Sequence, residues 1–168
     1  MRKHIMIGVA LLAMTLPTFA GNAFAGPSIG AGVHYLHNLS DIQDNGFDQN
    51  SFSMLGSILF AGPLLKFEGQ LEYVFDLMGT GEGAFMPQAY VLVGGFIYGG
   101  LGIGVVNFDG EWADDPFYNL RAGVNLPLGG MGLDVYGTYQ FWTDDDLEDL
   151  TGDDLDSITF AAILRFGM

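Results

Sequence analysis

From Leu65 to Asp76 the chain reads Leu-Lys-Phe-Glu-Gly-Gln-Leu-Glu-Tyr-Val-Phe-Asp. Leu65, Phe67, Gly69, Leu71, Tyr73 and Phe75 share one parity. Lys66, Glu68, Gln70, Glu72 and Asp76 share the other, with Val74 the one apolar residue among them. Successive side chains of a strand point to opposite faces, so the pattern makes one oily face and one ionised face. Leu64, Phe67, Leu71, Val74 and Met78 also fit helical spacing. Gly69 in mid-segment, the aromatic enrichment and the recurrence of the same parity elsewhere decide for a strand.

That recurrence runs the length of the chain. Strands are expected at Ser28 to Leu36 (Ile29, Ala31, Val33 and Tyr35 on the oily parity) and at Phe52 to Ala61 (Phe52, Met54, Gly56, Ile58 and Phe60). A strand near Pro87 to Val93 shows no clear parity. Another is expected over Phe96 to Phe108, where Ile97, Leu101 and Ile103 oppose Tyr98 and a row of Gly100, Gly102 and Gly104. Phe117 to Leu126, Leu133 to Phe141 and Ser157 to Phe166 complete the set. Gly62-Pro63, Gly94-Gly95 and Pro127 to Gly130 are tight-turn signals, and the remaining connections are long. These are about eight strands of roughly ten residues, the length a tilted strand needs to cross a bilayer. An even strand number, short turns at one rim and long loops at the other is how membrane barrels are built. A barrel with lipid outside and polar groups inside uses every apolar face at once, whereas a soluble sandwich leaves too many uncovered.

The N-terminus fits export. Arg2 and Lys3, the apolar run Ile5 to Leu16 and the small-x-small site Ala23-Phe24-Ala25 predict a signal peptide over residues 1–25, with a single barrel domain over 26–168. There is no cysteine, so an exported chain must be held by packing or by a closed hydrogen-bonded ladder. Beyond the signal only Lys66, Arg121 and Arg165 stand against 20 Asp and Glu, a balance that excludes nucleic acid as a partner. A mean hydropathy of +0.31 despite that acid means that acidic and apolar residues are segregated, and 14% aromatics argue against disorder.

The signal peptide, the alternating strands, the glycine-rich Gly99 to Gly104 segment and an aromatic near the end of the last strand resemble the small bacterial outer-membrane β-barrels, the class of the OmpX-like, OmpW-like and OmpA transmembrane-domain proteins. That class usually finishes on the aromatic, whereas here Gly167-Met168 follows Phe166. The resemblance implies an all-β fold, an eight-stranded antiparallel up-and-down transmembrane barrel. It also implies a monomer in outer-membrane lipid, with periplasmic termini and exposed loops, inserted by the barrel-assembly machinery.

Lys66, Arg121 and Arg165 all fall on inward parities, as do Glu68, Glu72 and Asp134. Side chains fill the interior of an eight-stranded barrel, so these charges must pair, and a lumen network of Lys66, Arg121 and Arg165 with Glu68, Glu72 and Asp134 is expected. The Asp144, Asp146, Glu148, Asp149, Asp153 and Asp154 cluster reads first as a solvated loop and second as a weak, irregular Ca²⁺ site. No other cofactor is expected. Tyr35, Phe52, Phe75, Phe108, Tyr118, Phe141 and Trp142 near the loop ends, with Phe60, Phe96, Tyr98 and Phe166 near the turn ends, suggest two interfacial belts. His34, His37 and Ser40 with Asp41 and Asp76 are the material for a lipid-modifying barrel enzyme, but no hydrolase or acyltransferase motif surrounds them. The expected function is therefore non-enzymatic, in envelope integrity or surface interaction. A narrow pore and a soluble lipocalin-like barrel, with its apolar parity inward, are the alternatives.

Overall fold

The computed structural model describes residues 26–38, 50–76, 82–142 and 157–167. The expected signal peptide and the 144–154 acidic cluster lie outside the described residues. The elements are β1 (Ser28–Asn38), β2 (Asn50–Ala61), β3 (Leu65–Val74), β4 (Ala84–Gly94), β5 (Ile97–Gly104), the short β6 (Asn107–Phe108) and β7 (Glu111–Trp112), then β8 (Phe117–Pro127), β9 (Met131–Trp142) and β10 (Ser157–Phe166). Eight of them form a ring in the order β1-β2-β3-β4-β5-β8-β9-β10, every pair antiparallel. The ring closes through β1 on β10, with Ile29 opposite Phe166 and His37 opposite Ile158. Closure removes both sheet edges and satisfies the backbone without water.

Alternation along each strand decides which way the oily faces look. On β2, Phe52 is 65% exposed and the adjoining inward positions Ser53 and Leu55 are buried. On β10, Phe160 is 58% exposed while Arg165 is 0% exposed. Leu71 and Leu120 are exposed and Glu68 is buried, so the apolar parity faces outward around the ring. The lipocalin-like alternative, which needs the opposite parity, does not hold.

Three local expectations change. The parity of β4 is settled with Ala84, Met86, Gln88, Tyr90 and Leu92 inward and Phe85, Val91 and Val93 outward. Gly94 belongs to the strand, and Gly95-Phe96 makes the turn. The single strand expected from Phe96 to Phe108 is interrupted after Gly104, although its register opposite β4 continues from Gln88↔Gly104 to Phe85↔Asn107. The cause is Pro87. Val105 N–H donates to the Pro87 carbonyl at 3.2 Å, but proline has no N–H to return the bond. Beyond this gap β6 and β7 form a small hairpin that takes in the end of that expected strand and the start of the long connection after it. Asp109 and Gly110 turn it with φ of 49° and 83°, the two positive values a type I′ turn requires.

Short turns join β2 to β3, β4 to β5 and β8 to β9 at one rim, where both ends of the described barrel also lie. The opposite strand ends and the β6–β7 hairpin lie at the other.

Candidate functional site: the filled lumen

The lumen is filled in layers. Nearest the turn rim, Arg165 has a partner at each of its three nitrogens: Nε donates to Asp134, Nη1 to Ser57 and Nη2 to Glu68, each at 2.8 Å. Tyr98 adds a 2.7 Å hydrogen bond to the other Asp134 oxygen. The second Glu68 oxygen accepts from Arg121 Nη1 at 3.1 Å, so one carboxylate serves two guanidinium groups. Arg121 Nη2 donates to Gln70 at 3.0 Å, and its guanidinium lies between the rings of Tyr90 and Tyr136, 3.5 and 3.8 Å from their centroids. Such a group is held in place by stacking and planar hydrogen bonding together.

The glycines of β5 and β8 make this possible. A Cβ at Gly102 would run into the Tyr90 ring, one at Gly104 into Phe117, and one at Gly123 into Tyr98 and Tyr136. The glycine row is a packing device for aromatics on neighbouring strands.

Above this layer Glu72 is buried and accepts from Gln88 at 2.8 Å and from Ser53. One of its oxygens lies 2.7 Å from His34 Nδ1. Asn119 ties Gln88 and the Tyr90 hydroxyl to the same layer at 3.0 and 2.8 Å. At the loop rim Val74, Ala84, Met86, Val106 and Phe117 form a buried apolar plug, with Phe108, Ala113 and Trp142 packed against it. Phe108 of the β6–β7 hairpin and Ala113 just after it thus add hydrocarbon to the loop-side end of the lumen.

Of the residues expected in the lumen network, Glu68, Arg121, Asp134 and Arg165 meet in one cluster. Glu72 stands apart from it on His34, and Lys66 sits at the turn rim, donating to the Gly95 carbonyl at 2.9 Å with its ammonium 5.0 Å from the centre of the Tyr98 ring. Sequence reasoning did not place Gln70, Gln88, Asn119 or Tyr90 in the site; the inward parity of Gln70 and Asn119 was the available signal. Tyr98 leaves the expected belt for the lumen, and Phe108 and Trp142 leave it for the plug. The loop-rim belt is otherwise present as paired rings: Tyr35 with Phe52, Tyr73 with Phe75 and Phe85, and Phe141 with Tyr118 and Tyr139.

The histidines do not converge. Three residues apart on a strand, they face opposite ways. His34 is buried on Glu72, and His37 Nδ1 lies on the outside, 3.0 Å from Asn50 Oδ1. Ser40 and Asp41 lie outside the described residues. A hollow of about 930 Å³ lies on the outer wall over Gly56, Gly69 and Ala89, between Ile58, Phe67, Leu71, Val91 and Leu101.

No protein-family model and no curated protein sequence matches the chain. Among solved structures, Neisserial surface protein A is similar over 86% of this chain and 99% of its own, at 14% identity and a TM-score of 0.55. A designed transmembrane β-barrel is similar over 82% of this chain and 94% of its own (13% identity, TM-score 0.49). The Yersinia pestis outer membrane protein Ail is similar over 84% and 100% (14% identity, TM-score 0.46). With the ring closed, every neighbour antiparallel and the apolar parity outward, the chain has the fold of the small outer-membrane β-barrels.

Proposed function

We propose that the chain is exported by the signal peptide of residues 1–25 and serves as a non-enzymatic barrel of the bacterial outer membrane. Its acidic loops face outward, and it acts in envelope integrity or surface interaction rather than in solute passage. The observation that carries this is the pairing of an outward apolar wall with a lumen filled by side chains at two levels. Arg121 is held between two tyrosines and a carboxylate at one level, and an apolar cluster fills the β3, β4 and β8 side of the loop-side end at the other. Outer-membrane lipid is the principal partner, the insertion machinery acts during assembly, and the barrel is monomeric. Weak Ca²⁺ binding by Asp144 to Asp154 belongs to the same reading, since divalent ions would bridge a carboxylate rim to anionic lipid headgroups.

Membrane fractionation with heat-modifiable gel migration tests the location and the barrel together: the protein is expected in the outer membrane, migrating differently unheated and boiled. In planar bilayers the wild-type barrel is expected to give no steady conductance; open channels would move the reading to a pore.

A further inference from the structure

The two rims offer different chemistry to their surroundings. Towards the loop rim the outward columns carry tyrosines, Tyr35, Tyr73, Tyr118 and Tyr139, interleaved with Phe52, Phe75, Phe85 and Phe141, and the apolar ring and polar tip of a tyrosine suit a membrane–water boundary. Past them come the carboxylates of Asp76, Glu82, Asp109, Glu111, Asp114 and Asp115. The turn rim has no such transition. Its outward columns stay apolar to the last residue, with Ile97, Met131 and Phe166 exposed, and the turns carry the apolar surface on. Leu64 is 68% exposed at the first turn, Phe96 56% at the second, and Leu128 is exposed at the third. Among the described residues the charged side chains nearest this rim are Lys66 and Arg165, and both belong to inward positions.

The tips are also spread around the rim. Leu64 lies between β2 and β3, Phe96 between β4 and β5, and Leu128 between β8 and β9, three of the four alternate junctions of the ring, the fourth being where β1 begins and β10 ends. A single protein partner would meet a patch on one side; these three points span most of the rim. They are continuous with the apolar outer wall rather than ringed by polar residues, as a protein-docking patch would be.

We infer that the turn rim is a lipid-seated surface, in which Leu64, Phe96 and Leu128 enter the boundary between headgroups and acyl chains of the leaflet on the turn side. The inference rests on the membrane-barrel reading above. Apolar area leaves water in proportion to its extent, and no charge at the tips opposes insertion. The barrel therefore sits deep on this side and projects on the other.

The absence of cysteine makes a clean test available. Leu64→Cys, Phe96→Cys and Leu128→Cys, each in the full chain, are labelled with a nitroxide and reconstituted into phosphatidylcholine–phosphatidylglycerol vesicles. Collisions with oxygen, which partitions into the bilayer, are compared with those of a water-soluble nickel chelate. Gly69→Cys provides the mid-wall reference, since an added Cβ there meets nothing within 4 Å, and Asp114→Cys provides the aqueous one. All three tips are expected between the two references, with oxygen dominating several-fold over nickel. Tips as nickel-accessible as Asp114→Cys overturn the inference while leaving the barrel in the membrane. Tips shielded from both agents overturn it in favour of a protein contact or a second copy. Nickel access at Gly69→Cys overturns the membrane reading itself, and this inference with it.

Discussion

The turn-side and loop-side halves of the lumen fill the same cylinder by different means, charged in one and uncharged at the rim of the other. On the turn side, ions are tied across the chain: Glu68 reaches Arg165, 97 positions away, and Arg165 reaches Ser57, 108 positions away. On the loop side, a neutral apolar cluster is built around a local hairpin from Val106 to Ala113 where β3, β4 and β8 meet the rim, while the inward positions at the rim on β2, β9 and β10 are the buried but uncharged Ser51, Gln140 and Ser157. The first half joins strands far apart in the sequence, β2 and β3 to β10, and resists opening of the barrel wall. The second lines one side of the loop-side end with hydrocarbon, which needs no partner for its atoms.

That contrast is open to attack first at Glu68, the one carboxylate serving both arginines. Glu68→Ala leaves two buried guanidinium groups short of a counter-charge, and breaking a buried pair in this way costs ~3–5 kcal/mol. Urea unfolding of the refolded barrel in vesicles measures it. A loss under ~1 kcal/mol, the scale of a surface pair, would show that the turn-side half is held by its wall and not by its ions.

At the other end Phe117→Ala removes the largest fully buried ring of the plug, with an expected cost of ~3 kcal/mol. The sharper readout is conductance. A stable barrel with brief openings in the variant alone places the seal at the plug; an unchanged silent bilayer places it at the Arg121 layer below. Glu72→Gln probes the boundary between the halves, where His34, Ser53 and Gln88 converge on one carboxylate. Hydrogen bonds to a charged group contribute ~1.5–3 kcal/mol, so a loss of about that size in the same unfolding experiment is expected.

How much of this could be read from the residues alone follows the same division. The outer wall was legible because period-two alternation survives in β1, β2, β3, β8 and β10, and the turn-side ions were legible because Glu68, Arg121, Asp134 and Arg165 are charged residues on the parity opposite the oily one. On β4 the signal fails. Ala84, Met86, Tyr90 and Leu92 face inward and are as apolar as Phe85, Val91 and Val93 facing out. The plug was hidden for that reason, since inward apolar residues erase the parity that would reveal them. Asp109-Gly110 did carry a hairpin signal, but it sits among Asp and Glu and reads as loop until the register opposite Pro87 is known. Partner choice was the least legible part. Nothing in the spacing says that Lys66 ends on a turn carbonyl or Glu72 on His34, because those contacts depend on strand tilt and stagger around a closed ring.

The smallest expected effect separates geometry from charge within the turn-side half. Arg121→Lys keeps the lumen's formal charge and leaves Glu68 its other partner, Arg165. A lysine ammonium has no plane to lie between Tyr90 and Tyr136 and no fork to reach Glu68 and Gln70 together. Desolvated cation–π contact with a ring contributes up to ~2 kcal/mol, and lysine retains part of it, so a loss of ~1 kcal/mol in urea unfolding is expected. If Arg121→Lys were as stable as the wild type while Glu68→Ala fell by the full amount, the half would be held by charge number alone. The glycine row that admits Tyr90 and Tyr136 would then serve to fill volume, not to grip a cation, and Gly102→Ala would be felt only as a clash with the Tyr90 ring.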